Sequence, residues 1–265
     1  MLIVGERINT SREQVSVAVE KRDAAFILAD VKAQVAAGAR IIDVNAGASA
    51  ASEMDDLIWL IDVIQDTVDT RLSLDSSDPR CLLKAVERVH RRPMLNSTTA
   101  EKTRLEQMAP VVQKRECEVV ALCMDDRGIP KRVGQVLENA RTLVEGLEAL
   151  GVSRDRIYLD PLIQAVSTDW EAGLKALEAI ARIHEEFNGV KTICGLSNIS
   201  YALPKRPIMN RAFLTLAMRA GLSAAIIDPL DKKLMGTLMA TTVLLGRDEY
   251  CLNYIRSFRE GRLGD

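Results

Sequence analysis

Apolar positions along this chain gather into short, nearly unbroken runs, separated by longer stretches in which they recur at helical spacing. The runs are Leu2–Val4, Arg40–Val44, Leu72–Leu74, Pro93–Leu95, Val119–Met124, Ile157–Leu159, Thr192–Leu196 and Ala224–Ile227. Runs of this kind suit parallel strands covered on both faces. Boundary residues mark the helices between them. Asp23–Ala37 ends at Gly38, and Ser77-Asp78-Pro79 offers an N-cap followed by a first-turn proline. Thr98-Thr99-Ala100-Glu101 has the form of a capping box, with Thr98 as the cap and Glu101 reaching back. Pro207–Ala220 opens on proline and stops at Gly221.

Strand and helix alternate along the whole chain, and no linker or composition break divides it. The pattern predicts one α/β domain over residues 1–265, a single (β/α)8 TIM barrel. Its eighth helix lies over about Lys232–Leu245, and an extra C-terminal helix follows in Tyr250–Arg259, covering the barrel's outside or serving an interface. An open doubly wound sheet is the alternative. That fold usually has a glycine-rich turn after its first strand, and Gly5-Glu6-Arg7-Ile8-Asn9 is not one.

Composition narrows the function classes. Lys+Arg 35 against Asp+Glu 37 gives a formal charge of -2, without the basic stripe a nucleic-acid binder needs. No apolar run approaches the ~20 residues of a membrane span, and Met1–Glu6 reads as a strand rather than a signal peptide. Cys81, Cys117, Cys123, Cys194 and Cys251 are scattered without a C-x-x-C pair, as expected of reduced cytoplasmic thiols. His90 and His184 both fall in helical-looking segments among charges and read as solvated surface residues.

In a barrel of this kind the active site lies at the C-terminal ends of the strands. The residues there are Glu6, Arg7 and Asn9; Asp43 and Asn45; Asp75; Asn96; Met124 and Asp125; Asp160; Ser197 and Asn198; and Asp228. Any one Asp or Asn could simply cap a helix or serve a turn. Asp75 and Asn96 fit that role poorly, because Ser77 or Asp78 and Thr98 stand ready as caps; Asp160 precedes Pro161 and a long connection. The ring lacks the paired histidines of metal-hydrolase barrels, and Gly195-Leu196-Ser197-Asn198 is only a faint phosphate turn. Carboxylates and amides do suit a planar heterocycle with adjacent ring N–H and amino groups, the pattern a 2-amino-4-oxo pterin presents.

Six segments carry a more specific resemblance: Ile3-Val4-Gly5-Glu6-Arg7-Ile8-Asn9, Ile42-Asp43-Val44-Asn45, Leu74-Asp75-Ser76, Leu95-Asn96-Ser97-Thr98, Asp160-Pro161-Leu162 and Gly195-Leu196-Ser197-Asn198. In this order and spacing they resemble the pterin-binding barrel superfamily. Within it the chain is most similar to the methyltetrahydrofolate:corrinoid protein methyltransferases, which Arg206-Pro207-x-x-Asn210-Arg211-x-Phe213 also fits. The resemblance spans essentially the whole chain. It implies an enzyme moving the N5 methyl of 5-methyltetrahydrofolate to Co(I) of a corrinoid (cobalamin), or the reverse. The corrinoid would be carried by a separate protein, since the chain leaves no room for such a module.

The same resemblance implies site residues. Asp75, Asn96 and Asp160 would hold the pterin edge, with Ser197 and the backbone around Gly195 lining the pocket. Asn198 would hydrogen-bond near N5, and Arg206 would neighbour the substrate, on its glutamyl tail or as a solvated arginine. Asn198 is the expected catalytic donor to the departing amine, with Asp43 and Asp75 in a proton relay. No metal ligands of the chain's own are implied, and a homodimer is. Three other readings stay open: a dihydropteroate synthase-like pterin transferase, the folate module of a methionine synthase, and a non-catalytic folate-binding subunit. The first departs from this chain at the seventh-strand loop, where Ser197-Asn198-Ile199-Ser200 stands in place of its lysine and arginine.

Overall fold

In the computed structural model, which describes residues 1–264, each strand–helix unit packs against the next until the last strand closes on the first. The strands are β1 (Leu2–Asn9), β2 (Ile41–Asn45), β3 (Arg71–Asp75), β4 (Met94–Thr99), β5 (Glu118–Leu122), β6 (Ile157–Asp160), β7 (Lys191–Gly195) and β8 (Ala224–Ile227). All pair in parallel, β1 with both β2 and β8, so the sheet is a closed barrel. Around it run α2 (Ala24–Ala36), α3 (Glu53–Gln65), α4 (Pro79–Arg88), α5 (Lys102–Lys114), α6 (Val133–Ala149), α7 (Ala172–Glu186), α8 (Arg206–Ala220) and α9 (Lys232–Leu244). A short helix α1 (Glu13–Glu20) precedes α2, and α10 (Leu252–Arg259) follows α9. No helix of the described residues is long and apolar enough to cross a membrane.

The predicted barrel and its extra terminal helix are present, with boundaries that differ for identifiable reasons. β1 and β4 outrun their apolar runs by several residues, because inward positions near the mouth are polar. β5 and β7 instead stop short of theirs, and Leu196 already belongs to a 3₁₀ turn, Leu196–Ser200. Thr98 is not a cap: it lies within β4, fully buried, and Glu101 holds the N-cap position of α5 without a capping hydrogen bond. Asp78 does cap α4, accepting from the N–H of Arg80 with Pro79 behind it, and Asp23 caps α2. The terminal segment is broken, since Tyr250 and Cys251 have left-handed backbone and α10 starts only at Leu252. His90 sits in an exposed bend after α4 rather than in a helix; His184 lies exposed on α7. A Cβ at Gly221, whose φ is +111, would stand 2.7 Å from the His184 ring, so only glycine ends α8 there.

The strand alternation sorts side chains into two cores. Outward residues such as Ile42, Leu74, Leu95 and Val119 pack under the helices in one continuous cluster. Inward residues Val4, Ile41, Met94, Val120, Tyr158, Ile193 and Ala224 form a second, smaller one that plugs the barrel. Below that plug, the N-terminal end is closed by polar pairs: Arg71 with Glu118, and Lys191 Nζ at 3.2 Å from the Tyr158 hydroxyl. Above it the inward positions turn acidic, which places the mouth.

Candidate active site at the barrel mouth

Continuing the inward alternation beyond the apolar plug puts Glu6, Asp43, Asn45, Asp75, Asn96 and Asp160 around the mouth. Asn45, Asp75 and Asn96 stand in register on adjacent strands. The amide Nδ2 of Asn45 donates to Asp75 Oδ2 at 3.0 Å, and that of Asn96 donates to Asp43 Oδ1 at 3.2 Å. Two carboxyls are thereby held by neutral amides rather than by cations.

Burial sets their protonation. Asp75 is pushed up to about 8, first by desolvation and then by the neighbouring Asp43 charge, while the Asn45 amide opposes the rise. Asp43, buried, is likewise raised by desolvation, with Asn96 opposing. Asp160 rises to about 7 through burial, although the Leu162 N–H donates to its Oδ1 at 2.7 Å. Glu6 rises to about 7 through burial and then Asp228, against the pull of Arg12. Near neutral pH such groups donate as well as accept hydrogen bonds, which a bare carboxylate cannot do.

The seventh-strand turn supplies the remaining polar groups. A Cβ on Gly195 would lie 3.3 Å from Asn198 Nδ2, so the glycine leaves room for that amide. Asn198 itself is exposed and makes no side-chain hydrogen bond among the described residues. Arg206, at the start of α8, is turned onto this loop. Its Nη2 donates to the Ser197 carbonyl at 2.8 Å and its Nε to Ser200 Oγ at 3.1 Å, while Ser200 Oγ donates to Asn210 Oδ1 at 2.7 Å. Arg206 therefore braces the turn that presents Asn198.

Other strand-end residues serve the local turns. Asn9 Oδ1 accepts from the Ser11 N–H, and Asp125 is paired with Arg127 at the surface. Arg7 is held by Asp30 and Asp228 at 2.8 and 2.7 Å and faces the helices. Two contributors escaped the expected binding set. Asn45 orients Asp75, which the strand register would have revealed. Arg104 donates to the carbonyls of Ser77 and Ser97, tying the β3 and β4 turns together, and nothing in the sequence marks it. No group of three or more His, Cys, Asp or Glu able to hold a metal occurs among the described residues.

Residues 5–228 match the family model described as pterin binding enzyme. The chain is 37% identical over 267 residues to the methylcorrinoid:tetrahydrofolate methyltransferase of Eubacterium limosum, covering 100% of this chain and 98% of that protein. It is 27% identical over 86% of its length to the methionine synthase of Mycobacterium leprae (strain TN), but to only 20% of that protein. Among solved structures, 7,8-dihydropteroate synthase from Vibrio fischeri ES114 superimposes with a TM-score of 0.67 at 15% identity over 93% of both chains. The Xanthomonas albilineans dihydropteroate synthase with 4-aminobenzoic acid gives 0.69 at 21% identity, over 94% of this chain and 92% of that one. At such identities these two likenesses concern the fold.

Proposed function

We propose, because this chain belongs to the pterin binding enzyme family, that it is a methyltransferase working between N5 of tetrahydrofolate and the cobalt of a corrinoid. The full-length likeness to a methylcorrinoid:tetrahydrofolate methyltransferase carries this reading. The mouth chemistry supports it. Asp75, Asn96 and Asp160 offer alternating donors and acceptors to the edge of a pterin, and the adjoining Ser197–Asn198 turn leaves an unspent amide beside the slot.

The reaction sets what that amide must do. When the methyl passes to Co(I), the C–N bond breaks and its electron pair stays on N5, which needs a proton or a donated hydrogen bond. A donor whose bond strengthens as charge develops lowers the barrier. Asn198 fills that role, and Asp75, pushed up to about 8 beside Asp43, holds a proton near neutral pH for their relay. Run in reverse, the N5 proton passes to an ionised carboxylate of the Asp43–Asp75 relay as the methyl leaves cobalt. The corrinoid is a substrate brought by a partner protein in this reading, and the enzyme works in the cytoplasm.

The working form is a homodimer in the same reading. Trp170, Leu174, Ile208 and Leu216 are 81%, 68%, 61% and 54% exposed on or beside the adjacent helices α7 and α8. Large apolar side chains gathered on neighbouring helices are what an interface covers.

Anaerobic mixing with 5-methyltetrahydrofolate and cob(I)alamin, followed by absorbance, should show protein-dependent conversion to methylcobalamin. Pterin binding without conversion, even with a corrinoid protein supplied, would leave a folate-binding subunit instead.

A further inference from the structure

A pterin edge held on one side of the mouth fixes where the rest of a folate must go. Asp75, Asn96 and Asp160 stand on β3, β4 and β6, so the far edge of the ring, which bears the tail, faces β8 and β1 across the barrel. That tail is an aminobenzoyl ring ending in a glutamate, and its carboxylates call for a cation. Two arginines of this arc are already committed, Arg7 to Asp30 and Asp228 and Arg206 to Ser197 and Ser200. Arg12, in the turn after β1, is exposed and makes no side-chain hydrogen bond or ion pair among the described residues. Its charge nonetheless reaches the mouth, where it acts on Glu6.

The ground beside Arg12 is also unusual. The connection from Ala46 to Ser52 contains only alanine, glycine and serine, is exposed from 47 to 51, and is pinned to the β1 turn by the Ala48 N–H donating to Thr10 Oγ1 at 3.1 Å. With no side chain larger than serine, this stretch stands low beside the β1 turn. We propose that Arg12 receives the glutamyl carboxylates of the folate and that the 46–52 connection floors a trough for its aminobenzoyl segment. This rests on the pterin slot assigned above, and it moves the tail contact from Arg206 to Arg12.

Calorimetric titration with 5-methyltetrahydrofolate and with 5,6-dimethyltetrahydropterin, which has the ring but no tail, separates slot from trough. Arg12→Gln should weaken folate binding roughly fivefold, the scale of an exposed ion pair, and leave the tail-less pterin unchanged. Arg12→Lys should recover part of the loss, and added salt should narrow the gap between Arg12→Gln and the native protein. Ala50→Trp, which narrows the trough without touching charge, should also weaken only the folate. Equal folate affinity in Arg12→Gln and the native protein overturns the proposal, as does equal weakening for both ligands. A native protein that binds folate no better than the tail-less pterin overturns it while leaving the slot intact. Binding of neither ligand removes the slot itself, and the trough with it.

Discussion

A carboxylic acid that keeps its proton near neutral pH can present a donor to one ligand atom and an acceptor to the next, and this mouth holds several. Burial is the leading cause for Asp75, Asp160 and Glu6 alike, and at the Asp43–Asp75 pair the Asn45 and Asn96 amides offset part of it. A folded-state pKa above the unfolded one, which is about 3.9 for Asp, gives stability that is complete below that value and lost as pH rises through 7 to 8. Thermal unfolding should therefore fall between pH 5 and 8.5 by an amount that Asp160→Asn reduces; an unchanged slope would mean Asp160 is ionised in the fold. Asp75→Ala should weaken pterin binding on the order of tenfold or more, because it strands the ring's donors. Asn198→Ala should slow methyl transfer on the order of a hundredfold, as removal of one transition-state donor does elsewhere. Its fold should be untouched, since the residue is exposed. Equal transfer rates would take Asn198 out of the chemistry.

At the level of elements, the sequence announces strands through their apolar runs and helices through their stops. It hides what lies where the two overlap. Asn96 to Thr99 reads as a polar turn, yet it continues β4, because mouth-facing positions and a strand buried under α5 tolerate polar side chains. The capping-box pattern at Thr98 is thus overridden by the sheet, a tertiary demand stronger than a local hydrogen bond. The acid ring was legible because period-two alternation places Asp43, Asp75 and Asp160 on the inward face. The work of Arg206 was not, because a side chain's choice between ligand and loop depends on contacts that no spacing encodes. As observed, it braces the 3₁₀ turn from α8. Arg206→Ala should accordingly lower the transfer rate about tenfold while pterin affinity changes little, since Asn198 loses its support and the slot does not. A loss confined to folate affinity would instead return Arg206 to the substrate's tail.

Across the molecule, the barrel interior is layered: ion pairs at the base, an apolar plug, then acids at the mouth. The plug lets the upper layer stay acidic, because it shuts water out from below and fixes the strands that carry Asp43 and Asp75. The outside carries a separate demand in the exposed apolar side chains of α7 and α8. Leu216→Glu or Leu174→Glu should convert a dimer to monomers in sedimentation velocity, with far-ultraviolet circular dichroism retained. A native protein that sediments as a monomer at micromolar concentration would assign that face another role.

The acidic upper layer also makes ligand capture an exchange of hydrogen ions with the surroundings. When ring N–H and amino groups donate to Asp160 they favour its ionised carboxyl, so the proton held there near pH 7 is handed to the buffer. The apparent heat of pterin association should then differ between Tris and phosphate by the difference in their ionisation enthalpies times the number of protons released. The two heats should coincide above about pH 9, where an acid of pKa about 7 has already given up its proton before the ligand arrives.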